Sequence, residues 1–454
     1  MRQKFNPRTG LFSPMMRYSI AKELQEMSKV LDANPRLMDL VFEDMSSLTR
    51  TDTGRQGMTA EQVLRSAVLK QYRQLTYEEL AFHLEDSDSF RSFSRLEAGQ
   101  YPSKSVLQEN IKAIREETWE AIIHEVAAYA IREKIETGRT VRVDSTAVET
   151  HIHHPTDSSL LSDGIRIITR WLTEGKELTP QPRYEFSGHR RVVKKRVMTI
   201  LNAKMDTVRQ NAYKDLLYYA RLVKGYAETA RDELINYEGH DLMDTLAAYE
   251  LARRLERAIG ILGKVIDQTD RRVFKNEKVP ASEKIVSFFE DHTDIIVKGK
   301  RDTEYGHKVF LAGGSSTMIL GCLIVPGNPA DTDQYQPLLE QHKEWYGRMP
   351  RQVTADGGFA SKENLAYAKE NHVKDAVFAR KRGLSVLDMA KSNWVYKKLR
   401  NFRAGIEASI SALKRAFGLG RATWTGWEGF ARYVLSSIVS YNLLVIARAR
   451  LVSA

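Results

Sequence analysis

The chain predicts an α/β protein with a mixed-sheet core. A helical region precedes the core, and a large helical hairpin interrupts it after its first strand. Three observations predict this. Helix-start signals crowd the first third, short β-branched runs ending in Asp recur at two distant places, and the block between them carries apolar residues at steps of three and four.

Residues 1–139 read as helical. Thr59 with Gln62, Thr76 with Glu79 and Ser105 with Gln108 each match a capping box, in which a hydroxyl accepts from an early helix N–H and the later side chain reaches back. Apolar residues follow, Val63 and Ala67 in one case, Leu80, Phe82 and Leu84 in another. Successive short helices make a trihelical unit, compatible with a helix-turn-helix or with a plain bundle. Thr140-Val-Arg-Val-Asp144 is a short strand ending in a carboxylate. Val193, Val197, Ile200, Val208, Ala212 and Leu216 then form one helical series, and Leu255, Ile259, Leu262 and Ile266 a second. The polar turn Asn236–Asp241, with Gly239, lies between them, so residues 155–290 read as an antiparallel helical hairpin.

Beyond it, Asp294–Lys298 is β-prone, and Tyr305–Ala312 and Met318–Val325 flank Gly313-Gly-Ser-Ser316 as a hairpin of central strands. A helix starts near Asp331. Gln352–Asp356 is a strand followed by Gly357, Gly358 and a helix capped by Ser361. Asp375–Ala379 is the last strand, and residues 400–450 are helical. The predicted division is a helical domain at 1–139 and an α/β domain at 140–454, interrupted by 155–290.

A length of 454 residues suits two to four domains, and 42% hydrophobic with 28% charged residues is ordinary globular composition. The 69 Lys and Arg outnumber the 58 Asp and Glu, leaving +11, which favours an anionic partner, nucleic acid first. Cys322 is the single cysteine, which excludes a disulfide framework and a thiolate zinc site and fits a reducing, cytoplasmic compartment. The basic N-terminus, Met1-Arg-Gln-Lys-Phe5, has no apolar run after it, so no signal peptide is expected. Val434–Ala447 is apolar but contains Ser436, Ser437, Ser440, Tyr441 and Asn442. It reads as a buried helix, and no membrane association is expected.

Asp144 and Asp356 both end short strands, where α/β sheets present functional groups. Glu407 follows Arg403 by four residues and precedes Lys414 by seven, so all three share a helix face, with Ile406, Ile410 and Leu413 marking the buried side. That face reads either as a solvated ion-pair ladder or as a ligand-bearing face. Three converging carboxylates would suit magnesium, and two such ions about 4 Å apart can clamp the attacking and leaving oxygens of a phosphoryl displacement. From Arg380 to Arg421 eleven basic residues surround only Asp388 and Glu407, which fits a phosphate-bearing partner. Three other features have bland readings beside sharper ones. His151, His153 and His154 lack a fourth metal ligand and read as phosphate or structural contacts. Trp424 and Trp427 suit core packing or base stacking. The run Arg190, Arg191, Lys194, Lys195, Arg196 suits a solvated face or DNA contact.

Val141-Arg-Val-Asp-Ser-Thr-Ala147, Thr354-Ala-Asp-Gly-Gly-Phe359 and the stretch Arg403–Leu419 together resemble a bacterial insertion-sequence transposase of the DDE type. Glu149–Leu161 resembles the group called ISNCY. The resemblance implies an RNase H-like core in which the first Asp ends the first core strand, the second follows the fourth, and the Glu lies on a later helix. Those roles fall to Asp144, Asp356 and Glu407 as catalytic residues and ligands of two Mg2+ or Mn2+ ions. A related signature of Tyr, Arg, Glu and Lys is matched by Arg403, Glu407 and Lys414, while Arg400 stands at the Tyr position. The resemblance implies that Arg403 and Lys414 grip DNA phosphates near the transposon end. It also implies double-stranded DNA partners (terminal inverted repeats and target), end cleavage followed by strand transfer, and a homodimer or larger assembly on paired ends. A nuclease with the same core and no strand transfer, or a non-catalytic DNA-binding relative, are the alternatives.

Overall fold

The structure, a computed structural model, describes Lys4 and residues 18–47, 57–297, 303–380 and 382–453. Lys298, the last residue of one predicted strand, and the N-terminal pentapeptide apart from Lys4 lie outside the described residues. The chain divides into two compact units, Met1–Thr150 with Gly306–Ala454, and His151–Tyr305.

The first unit begins with helices α1 (Ser19–Asp32), α2 (Arg36–Ser47), α3 (Ala60–Tyr72), α4 (Tyr77–Asp86), α5 (Asp88–Phe93), α6 (Lys104–Ala113) and α7 (Glu116–Arg132). The described part of the N-terminal region therefore has seven helices where the sequence suggested three. One reason is that α1 starts at Tyr18 with no side-chain cap, leaving no start signal to read. The capping boxes of Thr59–Gln62 and Thr76–Glu79 are both formed. The one expected at Ser105 is not. Ser103, two residues earlier and with extended backbone, accepts from the Val106 N–H and caps α6, so Ser105 is already inside the helix. Phe82 is 59% exposed, because two residues from Leu80 and Leu84 is off their helix face.

The sheet consists of β1 (Thr140–Glu149), β2 (Asp294–Val297), β3 (Thr303–Gly313), β4 (Ile319–Ile324), β5 (Gln352–Ala355) and β6 (Asp375–Phe378). Their order is β2-β3-β1-β5-β6, with β4 also on β3. The β3–β4 hairpin forms as expected, but β4 is not central: among the described residues it pairs only with β3, and α7 packs on it. β1 is antiparallel to β3 and parallel to β5, and β5 is parallel to β6. Glu136 holds the β3–β4 turn. Its buried carboxylate accepts from the Thr137, Gly138 and Ser316 N–H groups and from the Ser315 hydroxyl. Burial would lift its pKa, but these donors outweigh burial and leave it below the usual carboxylate value.

The second unit holds α8 (Asp157–Gly175), α9 (Arg190–Asn202), α10 (Asp206–Ile235) and α11 (Leu242–Val273). The α10–α11 hairpin turns at the predicted polar segment, where Asp241 caps α11. It forms half of a four-helix unit rather than the whole insertion. The series from Val193 to Leu216 is split between α9 and α10, and Val208, just past the break, is 43% exposed. Leu255, Ile259, Leu262 and Ile266 are buried together with Ala212 and Leu216.

Among the described residues five helices complete the first unit, the first four being α12 (Tyr335–Tyr346), α13 (Lys362–Glu370, capped by Ser361), α14 (Val386–Met389) and the long α15 (Asn393–Ala416). The last, α16 (Trp427–Ser453), follows them. α16 is long and apolar enough to cross a membrane, yet 89% of its most apolar window is buried among α1, α3, α7 and β4. Its polar residues are what place it. Asn442, fully buried, donates to the Ile319 carbonyl at 2.7 Å and accepts from the Ile319 N–H at 2.9 Å, so it continues the β4 edge as a strand would. Ser436 accepts from the Gln71 amide and Ser440 donates to the Val68 carbonyl, both on α3.

Asn442→Leu keeps the shape and orphans both backbone groups of Ile319. The expected loss is roughly 2–4 kcal/mol, read as a fall in denaturant midpoint at unchanged m value. His342 gives the pH dependence. It is 2% exposed, neither ring nitrogen has a side-chain partner, and burial pulls its pKa down to about 4. Between the unfolded value near 6.5 and about 4, only the unfolded chain takes up this proton. This histidine's contribution to stability should therefore fall as pH drops through that window, by on the order of 3 kcal/mol at its acid end, while Asp144 and Glu120, whose carboxyls burial raises to about 6 and about 7, contribute in the opposite sense. Denaturant curves of His342→Leu should lack that component.

Candidate active site: three carboxylates around one guanidinium

The pairing of β1 and β5 sets the site. Thr140–Val143 pair in parallel with Gln352–Ala355, and the next residue on each strand is an aspartate, Asp144 and Asp356. Adjacent strands lie about 4.8 Å apart, so the register alone makes these two carboxylates neighbours. The sequence reading ended β1 at Asp144, but the strand runs five residues further. β3 continues to pair with it as far as Glu149 opposite Gly306, so one edge stays hydrogen-bonded after β5 stops. Asp144 therefore sits at the point where β5 ends, not where its own strand does. After Asp356 the chain makes a short 3-10 turn, Gly357–Phe359. Its two glycines have no left-handed backbone. They allow close approach, because a Cβ on Gly357 would press on the Arg380 side chain and one on Gly358 on the Asp331 carboxylate.

α15 brings the third acid. It packs across β1, β5 and β6, with Val395, Tyr396, Leu399, Ile406 and Leu413 buried and Ile410 half-buried. Two contacts fix its position along the sheet. Arg142, on the same face of β1 as Asp144, is 4% exposed. It reaches under the helix to donate to the Gly314 carbonyl at 2.7 Å and the Phe402 carbonyl at 3.2 Å, with its guanidinium 4.5 Å from the Phe402 ring centre. Gly405 leaves room for it; a Cβ there would overlap the Arg142 guanidinium. One turn of α15 is thus pinned over β1 at the residues between Arg403 and Glu407.

Arg403 then joins all three acids. Its Nη1 donates to Asp144 Oδ2 at 3.0 Å and lies 3.8 Å from Asp356 Oδ1, and its Nη2 donates to Glu407 Oε1 at 2.6 Å. The Asp144 side chain is 15% exposed, against 46% for Asp356 and 61% for Glu407, so the cluster is closed on the sheet side and open on the other. Burial lifts the Asp144 carboxyl to about 6. The Ser145 N–H and Arg403 pull it down, and the charges of Asp356 and Glu407 push it further up. The charges of Asp356 and Glu407 thus disfavour ionisation of Asp144, which a cation placed among the three would favour.

Sequence reasoning missed a fourth carboxylate. Asp331, beside Gly358, accepts from the Ser145 hydroxyl at 3.3 Å and is ion-paired with Lys308 at 3.1 Å. Lys308 was the available signal, a charged residue directly before the apolar stretch Val309–Ala312 of β3. Lys414 lies on the same α15 face as Glu407, but two turns away and outside the carboxylate cluster. Arg400, at the Tyr position of the signature, is exposed. The histidines do not gather: His153 approaches Asp163 at 3.5 Å and His154 stands edge-on to Tyr305. Trp424 is buried against Tyr77, and Trp427 packs on Phe430. In the basic run of α9, Arg190, Arg191, Lys194 and Lys195 are exposed and Arg196 pairs with Asp215.

The donor chemistry fits hard divalent cations, since Asp144, Asp356 and Glu407 offer carboxylate oxygens only. Among the described residues no three His, Cys, Asp or Glu side chains close directly on one point as a cage; here Arg403 supplies the positive charge between the acids.

Comparison with known families gives two matches, a Transposase DDE domain over residues 260–443 and a Transposase domain (DUF772) over residues 17–113. The first includes Asp356 and Glu407 and begins after Asp144; the second spans α1 to α6. No similar curated protein and no similar solved structure was found. With a transposase domain at its N-terminal helices and a DDE domain over most of its sheet and α15, the chain belongs to the DDE-type insertion-sequence transposases.

Proposed function

We propose that this transposase cuts DNA at the ends of its element and joins the freed ends to target DNA, with Asp144, Asp356 and Glu407 as its catalytic acids. The observation that carries the reading is the meeting of these three side chains, drawn from β1, the end of β5 and α15, on the one guanidinium of Arg403. The order also supports an RNase H-like core. Leaving aside β2, which belongs to the second unit, Asp144 lies on the first core strand, Asp356 directly after the fourth, and Glu407 on a later helix.

In this reading the three acids hold two Mg2+ or Mn2+ ions. Such ions lower the pKa of water and neutralise the charge that builds up on a phosphodiester under attack. The chain's own groups do the rest. Asp144, on a strand paired with β5 up to the residue before it and with β3 through and beyond it, is the rigid member of the set. Arg142 and Gly405 keep α15 in register, so that Glu407 faces the aspartates. Arg403 and Lys414 contact DNA phosphates near the transposon end. Cleavage leaves a 3′-hydroxyl that attacks target DNA, and no covalent protein–DNA intermediate is needed.

The helices of residues 1–139 would recognise the terminal inverted repeats. Residues 140–454 would carry the chemistry, and the insertion at 155–290, with its exposed basic face on α9, would contact DNA or a second protomer. Pairing two ends calls for a homodimer or larger assembly, acting on double-stranded DNA in the bacterial cytoplasm.

A magnesium-dependent assay on DNA carrying the element's own ends tests the reading. Joined products are expected. Nicks alone would indicate a nuclease, and a bound but uncut duplex a DNA-binding protein. Asp356→Asn, at a half-exposed position, should lower the cleavage rate by at least about 10³-fold, equivalent to the several kcal/mol that such ions supply, while duplex binding is retained. Near-wild-type cleavage by Asp356→Asn would remove the acid from the mechanism.

A further inference from the structure

A basic cleft lies in the same unit as the carboxylates. A cleft of about 750 Å³ opens between α3, α4 and α6 on one side and the end of α15 with the loop before α16 on the other. Its charged lining is Lys70, Lys104, Lys112, Lys414 and Arg421, against the single acid Glu78, which is ion-paired with Lys104 at 3.2 Å.

Lys70 is the unusual member. It is only 5% exposed, and among the described residues no acceptor or carboxylate bonds to its ammonium. The charge rests on two aromatic faces instead, 4.7 Å from the Tyr77 ring centre and 5.6 Å from that of Trp424. Cation–π contact recovers part of the cost of burying an ammonium, but less than a counter-ion would. Glu79 is the acid whose charge bears on it, and that carboxylate is occupied by the Thr76 N–H in the α4 cap. Burial pulls the Lys70 pKa down to about 8, so at neutral pH it is still mainly charged. A buried cation held on rings, aimed into a cleft with further lysines, is a group waiting for an anion.

The same geometry argues against a flipped base here. Trp424 is 5% exposed, stacked on Tyr77 at 6.4 Å and faced by Lys70, so it offers no open ring. The rings hold the ammonium, and the ammonium is the recognition group. The cleft also has a fixed relation to the acids. Lys414 stands two turns from Glu407 on the same face of α15, about 10 Å along the axis. Arg421 ties the cleft wall to the end of β1 through Glu149 at 2.9 Å.

We propose that this cleft binds a phosphodiester of the DNA strand, with Lys70 as the ion partner of one backbone phosphate. The inference rests on the DNA-processing reading above and adds a contact from α3, outside the DDE signature. It accounts for the un-neutralised Lys70, which a purely structural role would select against.

The test uses the full chain and a fluorescent mixed-sequence duplex, titrated over a range of salt concentrations. Lys70→Met should bind about tenfold more weakly at low salt, and the slope of log K against log salt should shrink by about 0.9, the signature of one lost phosphate contact. Its melting temperature should equal or exceed that of the wild type, because a buried unpaired charge has gone. Lys70→Arg should keep the wild-type slope, and Lys22→Gln, on exposed α1 surface, should change nothing. Lys70→Met and Lys70→Gln that melt lower and bind DNA with the wild-type slope would make Lys70 structural and overturn the proposal. Inorganic phosphate that protects the wild type but not Lys70→Met against heat, with duplex slopes unchanged, would assign the cleft to free phosphate and also overturn it. A wild-type chain that binds no duplex at all would instead sink the DNA-processing reading itself.

Discussion

The guanidinium of Arg403 is the interaction on which the site depends. Three carboxylates that repel one another, from positions 144, 356 and 407, are held together because one planar cation reaches all of them. Removing that cation would leave the acids un-neutralised, a penalty that falls chiefly on the buried Asp144, since Asp356 and Glu407 are half-exposed or more. The set can form only because the backbone has already brought it close. Parallel pairing of β1 with β5 places Asp144 and Asp356 side by side, and the Arg142 side chain passing beneath Gly405 pins α15 above them. A bulkier residue at 405 would shift the helix that carries both Arg403 and Glu407.

The helical parts of the first unit are organised by polar groups within apolar helices. α16 would pass for a membrane helix by composition. Asn442 makes it the continuation of a sheet edge, and Ser436 and Ser440 dock it to α3. α3 in turn carries Lys70 into the basic cleft. The N-terminal helices and the sheet thus share α16 as a common packing partner, and through it the cleft and the carboxylates belong to one unit. Along the chain, eleven lysines and arginines from 380 to 421 flank only Asp388 and Glu407, and of these Arg403 is the one that reaches the three acids among the described residues.

Much of this was legible in the sequence because the signals were local. Thr59 and Thr76 announce their helices through a hydroxyl and an amide or acid three residues on, and the β-branched runs before Asp144 and Asp356 announce their strands. What was not legible depends on partners distant in the chain. The length of β1 is set by β3, some 160 residues away, so nothing near Asp144 says that the strand continues. Asp331 looks like a helix-start residue until the fold puts Lys308 and Ser145 beside it. Lys70 sits among apolar helical positions, and only the loop bringing Trp424 shows what holds its charge. The helices α1 and α8 went unread, α1 for want of a capping side chain, and α9 was read as continuous with α10.

The central claim is that Asp144, Asp356 and Glu407 act as one divalent-cation site. Counting bound Mn2+ by electron paramagnetic resonance, in the wild type and in Asp144→Asn, tests it without reference to activity. The account predicts two ions per wild-type chain and loss of this binding in Asp144→Asn at an unchanged melting temperature in metal-free buffer. Equal Mn2+ binding by the two proteins would contradict it.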